Sequence, residues 1–198
     1  MLVRRANAAD RNIVVDIAVA AFVTEPAFDY FFRSGYQTHS PSFLGYLFDY
    51  RLATGRVWVA EYSGDVASVA MWNTTEDVVS DEPNAYPEWA TIAAAYPEET
   101  RERLSAYSQL LDEHKPLDAH FYLGVVATRP ELQGNGLASA VLEPALREAD
   151  LGSQASFLET GTESNVGFYR RLGFEVDAEI DLPDGPRIWW MRRPAKSK

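Results

Sequence analysis

A short turn, Gln133-Gly134-Asn135-Gly136-Leu137-Ala138-Ser139, stands between an apolar run that ends at Thr128 and a stretch with helical rhythm. Where a helix begins, several backbone N–H groups lack an internal partner and the helix dipole is positive, so the chain can hold an anion there. A pyrophosphate fits that description. Gly134 and Gly136 allow a tight turn and let phosphate oxygens approach without a side chain in the way, and the small Ala138 keeps the approach open. Taken alone, the same residues also describe an ordinary loop before a capped helix. The phosphate-loop NTPase pattern fails because no Gly-Lys-Ser/Thr follows. A dinucleotide-binding reading puts Ser139 at the third glycine and uses Glu159 as the ribose-binding acid. Against it, Arg129 to Leu132 separate the strand from the turn, and antiparallel strands precede.

Three side chains offer proton chemistry. Tyr169 follows Asn165 by four residues and shares its helix face, and a phenol can give a proton to a leaving group. An amphipathic core tyrosine with its hydroxyl at the rim is the plainer account. Glu159 shares a strand face with Phe157 and Gly161 and is the first candidate for a general base; were that position an apolar one, its carboxylate would be partly desolvated and its pKa raised. It serves equally as a hydrogen-bonded anchor for the neighbouring loop. His120, entering the same central region, has a suitable intrinsic pKa and is held in reserve as a base; solvent exposure explains it more simply.

The elements that must position these groups follow from periodicity. Leu2 to Arg5 can form a strand, and Ala8 to Val23 has the apolar spacing of a helix that Pro26 breaks. Pro41 precedes a second helical stretch, Ser42 to Thr54. Val57 to Tyr62 and Val66 to Asn73, divided by Ser63, Gly64 and Asp65, form a hairpin. After a polar stretch, Pro97, Glu98 and Glu99 start a helix with its stripe at Leu104, Tyr107, Leu110 and Leu111. Phe121 to Thr128 is apolar on both faces, which predicts a central strand. Gly136 to Leu151 is helical, although Pro144 predicts a kink, and Ala155 to Thr160 is a strand. Ser164 to Leu172 forms a short helix stopped at Gly173, and Glu175 to Leu182 and Ile188 to Arg192 close the sheet.

Composition narrows the function classes. With 198 residues and 46% hydrophobic content, one domain over 1–198 is expected. A net charge of -11 repels a phosphate backbone, so no nucleic-acid partner is expected, and it favours a cationic acceptor. With no cysteine, disulfides, thiolate metal sites and a covalent acyl-cysteine route are closed. His39, His114 and His120 lack metal-ligand spacing, so no metal is expected. Met1 to Asp10 has no apolar block after it, which predicts no secretion signal and no membrane span, hence a cytoplasmic protein.

Gln133, Gly136 and Ala138 meet Gln/Arg-x-x-Gly-x-Gly/Ala, and Asn165, Tyr169, Gly173 and Phe174 meet a second signature further on. In this the chain resembles the GNAT superfamily of acetyltransferases. The runs RVWVAEY, MWNTTEDV, LETGTESNVGFYRRLGFEV and LPDGPRIWWMRRP are similar to those of its puromycin N-acetyltransferase branch, whereas Phe22 to Tyr36 departs. The resemblance implies an α/β fold: a mixed, mainly antiparallel sheet of about six or seven strands with helices on both faces. It implies acetyl-CoA as cosubstrate, bound within about 120–174, and acceptor-side elements at about 22–56 and 84–118. Val126, Ala127 and Thr128 would offer backbone groups to the pantetheine arm, Gln133 to Ser139 would hold the pyrophosphate, and Asn165 would hydrogen-bond the arm. Plain sheet pairing and an ordinary helix cap are the alternatives for Val126 to Thr128 and for Asn165. Tyr169 would then protonate the departing thiolate. Phe28, Tyr30, Phe31, Phe32 and Trp72 could line the acceptor pocket, since aromatic faces attract cations; helix-to-sheet packing explains them equally well. The activity implied is direct acetyl transfer to the primary amine of a small molecule, an antibiotic or other xenobiotic amine included, by a monomer or homodimer. The alternatives are a non-catalytic acyl-CoA sensor and a protein N-terminal or lysine acetyltransferase.

Overall fold

Segments in which β-branched and aromatic residues cluster all join one open sheet in the computed structural model, which describes residues 1–75 and 89–196. β1 (Leu2–Arg5), β2 (Val57–Tyr62), β3 (Asp65–Thr74) and β4 (His120–Thr128) pair antiparallel in sequence order. Positive φ at both Ser63 and Gly64 gives the β2–β3 hairpin a turn whose twist matches its strands. β4 then runs parallel to β5 (Ala155–Thr160), which pairs with β7 (Arg187–Arg193), and β6 (Glu175–Asp181) forms the far edge. The observed seven-stranded, mainly antiparallel sheet with flanking helices is the expected architecture.

The helices are α1 (Arg11–Phe22), α2 (Pro26–Phe32), α3 (Tyr36–Ala53), α4 (Trp89–Ala94), α5 (Glu98–His114), α6 (Leu137–Leu151) and α7 (Glu163–Arg171). Pro26, expected only to break a helix, also opens one: it sits at the first position of α2, where Glu25 accepts from the N–H groups of Ala27 and Phe28. Pro41 lies inside α3 rather than ahead of it, close enough to the start that it removes only the bond to Gln37. α4, Trp-Ala-Thr-Ile-Ala-Ala, is a helix that the sequence's periodicity does not single out. α7 ends as expected, with Gly173 at φ 88° and the N–H groups of Gly173 and Phe174 closing on Arg170 and Tyr169.

Burial divides by face. α6 lays Leu137, Val141, Leu142, Ala145 and Ala149 against Trp72, Phe121 and Leu123. α1 and α3 lay Val14, Ile17, Leu44 and Phe48 against Val59, Val69, Met71, Val125 and Ala127. The aromatic residues of α2 pack with Leu104, Phe157 and Trp190. Leu123 and Val126 share the α6 face although three residues apart, because Gly124 is an extra residue in the β3–β4 ladder. Beyond Leu123 and Leu158 the two parallel strands no longer pair.

Candidate active site

The parting of β4 and β5 opens a cleft of about 1250 Å³. One of its walls is the exposed edge of β4. Arg129 N–H donates to Ala67 and the Ser68 hydroxyl to the Ala127 carbonyl, so alternate residues face β3. The N–H and C=O groups of Val126 and Thr128 therefore point into the opening. Ala127 does not share this role, because its carbonyl is taken by Ser68; strand alternation corrects the expectation for that residue.

Along this edge the cleft meets the glycine turn. Gly134 (φ 80°) and Gly136 (φ 78°) hold left-handed conformations that other residues adopt at a cost, and no side chain caps α6. Its first N–H groups are thus free to face an anion. Gln133, Gly134, Gly136, Leu137, Ala138 and Ser139 line the cleft. Asn135 turns inward instead, donating to the carbonyls of Leu132 and Gln133 and so holding the turn's shape. Asn165 lines the cleft near Thr160, to whose hydroxyl its amide reaches at 3.4 Å.

At the fork itself lies Glu159. The Tyr122 phenol donates to its Oε1 at 2.7 Å and the Tyr107 phenol at 3.1 Å, while Oε2 is buried with no partner among the described residues. Glu159 as a whole is half-buried and lines the cleft, while its Oε2 is shielded from solvent. Desolvation raises its pKa to about 7 against the opposing pull of the two phenols and Arg51. Burial, followed by the Glu159 charge, pushes both phenols well above their ordinary range, so they remain donors. Tyr169, 5% exposed, lines the same cleft with its ring packed edge-on to Phe168 and Phe174. Burial raises its pKa too, with smaller contributions from Glu159 and Glu25.

Other expected residues fall elsewhere. His120 is buried rather than exposed, with Nδ1 2.8 Å from the Asp118 carbonyl, at the end of β4 where the strands still pair. It does not line the cleft. Trp72 is fully buried under α6 against Phe121, and Tyr30 and Phe32 belong to the α2 core; of the five aromatic candidates, Phe28 and Phe31 line the cleft. Alternation within β3 and the α2 helix turns the others inward. Positions 84–88 of the expected acceptor side lie outside the described residues.

Four residues at the site went unread in the sequence: Glu25, Arg51, Tyr107 and Tyr122. Glu25 accepts from Gly161 N–H at 3.2 Å as well as capping α2, and thereby ties the acceptor side to the β5–α7 turn. Burial raises its pKa. Tyr107 was visible only as part of a helical stripe, and Tyr122 as one residue of an apolar strand. A phenol in each was the available signal. For Glu25 and Arg51 the local sequence holds none.

The sheet thus opens between two parallel central strands, with an uncapped helix start at one end of the cleft and a carboxylate at its fork. Residues 53–176 match the family described as the acetyltransferase (GNAT) domain, more than half of the chain, and the protein belongs to that family. Its fold is similar to a Corynebacterium glutamicum structure described as histone acetyltransferase HPA2 and related acetyltransferase: 23% identity, 99% of this chain and 97% of that one, TM-score 0.71. It is also similar to arylalkylamine N-acetyltransferase 2 from Aedes aegypti (17% identity, 98% of both chains, TM-score 0.69). Polyamine N-acetyltransferase from Drosophila melanogaster matches at 15% identity over 98% of this chain and 99% of that one, TM-score 0.64. The GNAT family uses acetyl-CoA, and the residues present suit it: the free β4 edge matches an extended amide arm, and the uncapped glycine turn matches a pyrophosphate.

Proposed function

We propose that this protein is an N-acetyltransferase that moves acetyl from acetyl-CoA to the primary amine of a small molecule in a ternary complex. The observation that carries the reading is Glu159 Oε2, a buried carboxylate oxygen without a partner at the fork of the cleft. A structural carboxylate is usually fully hydrogen-bonded; this one keeps a spare acceptor, which a small turn of the side chain presents to an ammonium in the cleft. Residues 1–198 act as one catalytic domain in this reading.

Val126, Thr128, Asn165 and the turn from Gln133 to Ser139 hold the coenzyme, whose thioester supplies an electrophilic acyl carbon. In the transfer a C–N bond forms, the C–S bond breaks, and one proton is released overall. Glu159, poised near neutrality, takes the first proton of the ammonium, and Tyr122 and Tyr107 fix the carboxylate's direction through its other oxygen. Tyr169 donates toward the leaving sulfur and regains a proton from the acylated nitrogen. The burial that raises Tyr169 also raises the basicity of a thiolate released beside it, so the two remain matched. Positioning and a dry cleft contribute the rest.

The likeness to the puromycin N-acetyltransferase branch brings antibiotic and other xenobiotic amines among the acceptors. The test is release of free coenzyme thiol from acetyl-CoA by the purified protein, offered puromycin, polyamines, amino acids, aromatic amines and peptide N-termini. Acceptor-dependent release with a small amine supports the reading, and release only with peptides replaces it by a protein acetyltransferase. If acetyl-CoA raises Tm while no amine stimulates release, the chain is a sensor.

A further inference from the structure

Arg51, near the end of α3, is 5% exposed and lines the cleft, yet no carboxylate meets it among the described residues. Among the described residues its one side-chain hydrogen bond is from Nη1 to the Leu47 carbonyl at 3.3 Å, Nε is buried without a partner, and the Tyr50 and Tyr122 rings flank it. Buried Arg193, by contrast, grips both oxygens of Asp150, and half-buried Arg4 grips those of Asp10. A buried guanidinium is costly unless paired, so an unpaired one calls for a ligand.

Its place in the cleft says what kind. The guanidinium lies over Gly124, the bulge residue where β4 leaves β5; a Cβ there would collide with Nη2. The guanidinium carbon is 5.8 Å from the centre of the Tyr122 ring, and the Tyr122 phenol holds Glu159. A cation and a carboxylate thus flank one tyrosine at the fork without meeting each other. Beyond them stand Phe28, Phe31, Phe43, Tyr46 and Trp89.

Resting on the acetyltransferase reading, we infer that the acceptor is a zwitterion, an aromatic or large apolar α-amino acid. Its ammonium goes to Glu159 Oε2, its carboxylate to Arg51 and its side chain to the aromatic wall. A guanidinium suits a carboxylate because it offers parallel donors. A polyamine is disfavoured, since its second ammonium would approach Arg51.

The test compares kcat/KM, by coenzyme thiol release, for L-phenylalanine, L-tryptophan and L-methionine with that for 2-phenylethylamine, tryptamine and putrescine. Wild-type protein should prefer each aromatic amino acid to its decarboxylated counterpart by about 100-fold, because the counterpart leaves a buried charge unpaired. Arg51→Met should bring that ratio close to one, and Arg51→Lys should restore part of it. Retention of the Tm rise with coenzyme A checks that the variants fold; should they not, the wild-type ratio decides alone. Equal or better use of the decarboxylated amines or putrescine by wild type overturns the zwitterion inference and leaves the acetyltransferase standing. An unchanged ratio in a folded Arg51→Met overturns it too and makes Arg51 structural. No turnover of any amine overturns both.

Discussion

Glu159 and Tyr169 divide the proton work by environment. A base acts in its ionised form, so kcat/KM should rise with pH through an inflection near 7, the pKa of Glu159, and fall away below it. Glu159→Gln should lower kcat/KM by about 100-fold and abolish that inflection; an inflection that survives the change removes Glu159 as base. Stability runs the other way. The folded pKa of Glu159 lies above its unfolded value, so between about 4.5 and 7 the folded state binds more protons, and stability is lost as pH rises through that window. Glu159→Gln should therefore melt higher than wild type at pH 8. Tyr169→Phe should cut kcat about 10- to 100-fold with coenzyme affinity unchanged, and an unaltered kcat would exclude the phenol as acid. The positions of these two residues in strand and helix were legible in the sequence, since strand alternation and the i, i+4 spacing are local. The partners that hold Glu159 were not, because Tyr107 of α5 and Tyr122 of β4 arrive from elsewhere in the chain.

Among the elements, β4 has the most demanding geometry. It must pair with β3 along its length, leave β5 after Leu123, and carry a bulge at Gly124 beneath a buried arginine. Gly124→Ala forces a methyl into Arg51 and should cost about 2 kcal/mol by overpacking, read as a lower denaturant midpoint. Pairing it with Arg51→Ala should recover part of that loss; no recovery would place the strain in the backbone. An apolar strand with one glycine was visible in the sequence. The bulge was not, because only the register against β3 defines an extra residue. Likewise Pro26 and Pro41 mark helix boundaries ambiguously, since proline suits the first turn of a helix as readily as the end of one.

Across the molecule, the closing strand is fastened to α6 by the two-pronged Arg193–Asp150 pair, which Lys196 joins at 2.6 Å. These cations hold the Asp150 pKa down at about 2. A depressed acid contributes stability above its unfolded pKa and loses it as pH falls toward 2, so Asp150→Asn should lower Tm at pH 7 and have little effect near pH 2. The partly exposed setting limits the cost to about 1 kcal/mol. A Tm difference that persists at pH 2 would assign the effect to packing instead.

Sequence alone determined the strand order and all the helices but α2 and α4, the glycine turn and the Asn165–Tyr169 spacing, because each is written in residues close together along the chain. Tertiary structure decided which candidates meet. It removed His120, Trp72, Tyr30 and Phe32 from the cleft and brought in Glu25, Arg51, Tyr107 and Tyr122. Glu25 lies 136 residues from the Gly161 it holds, and Arg51 touches a glycine on another strand. Such pairings arise only when segments far apart in the chain fold against each other, which no local pattern of residue types records.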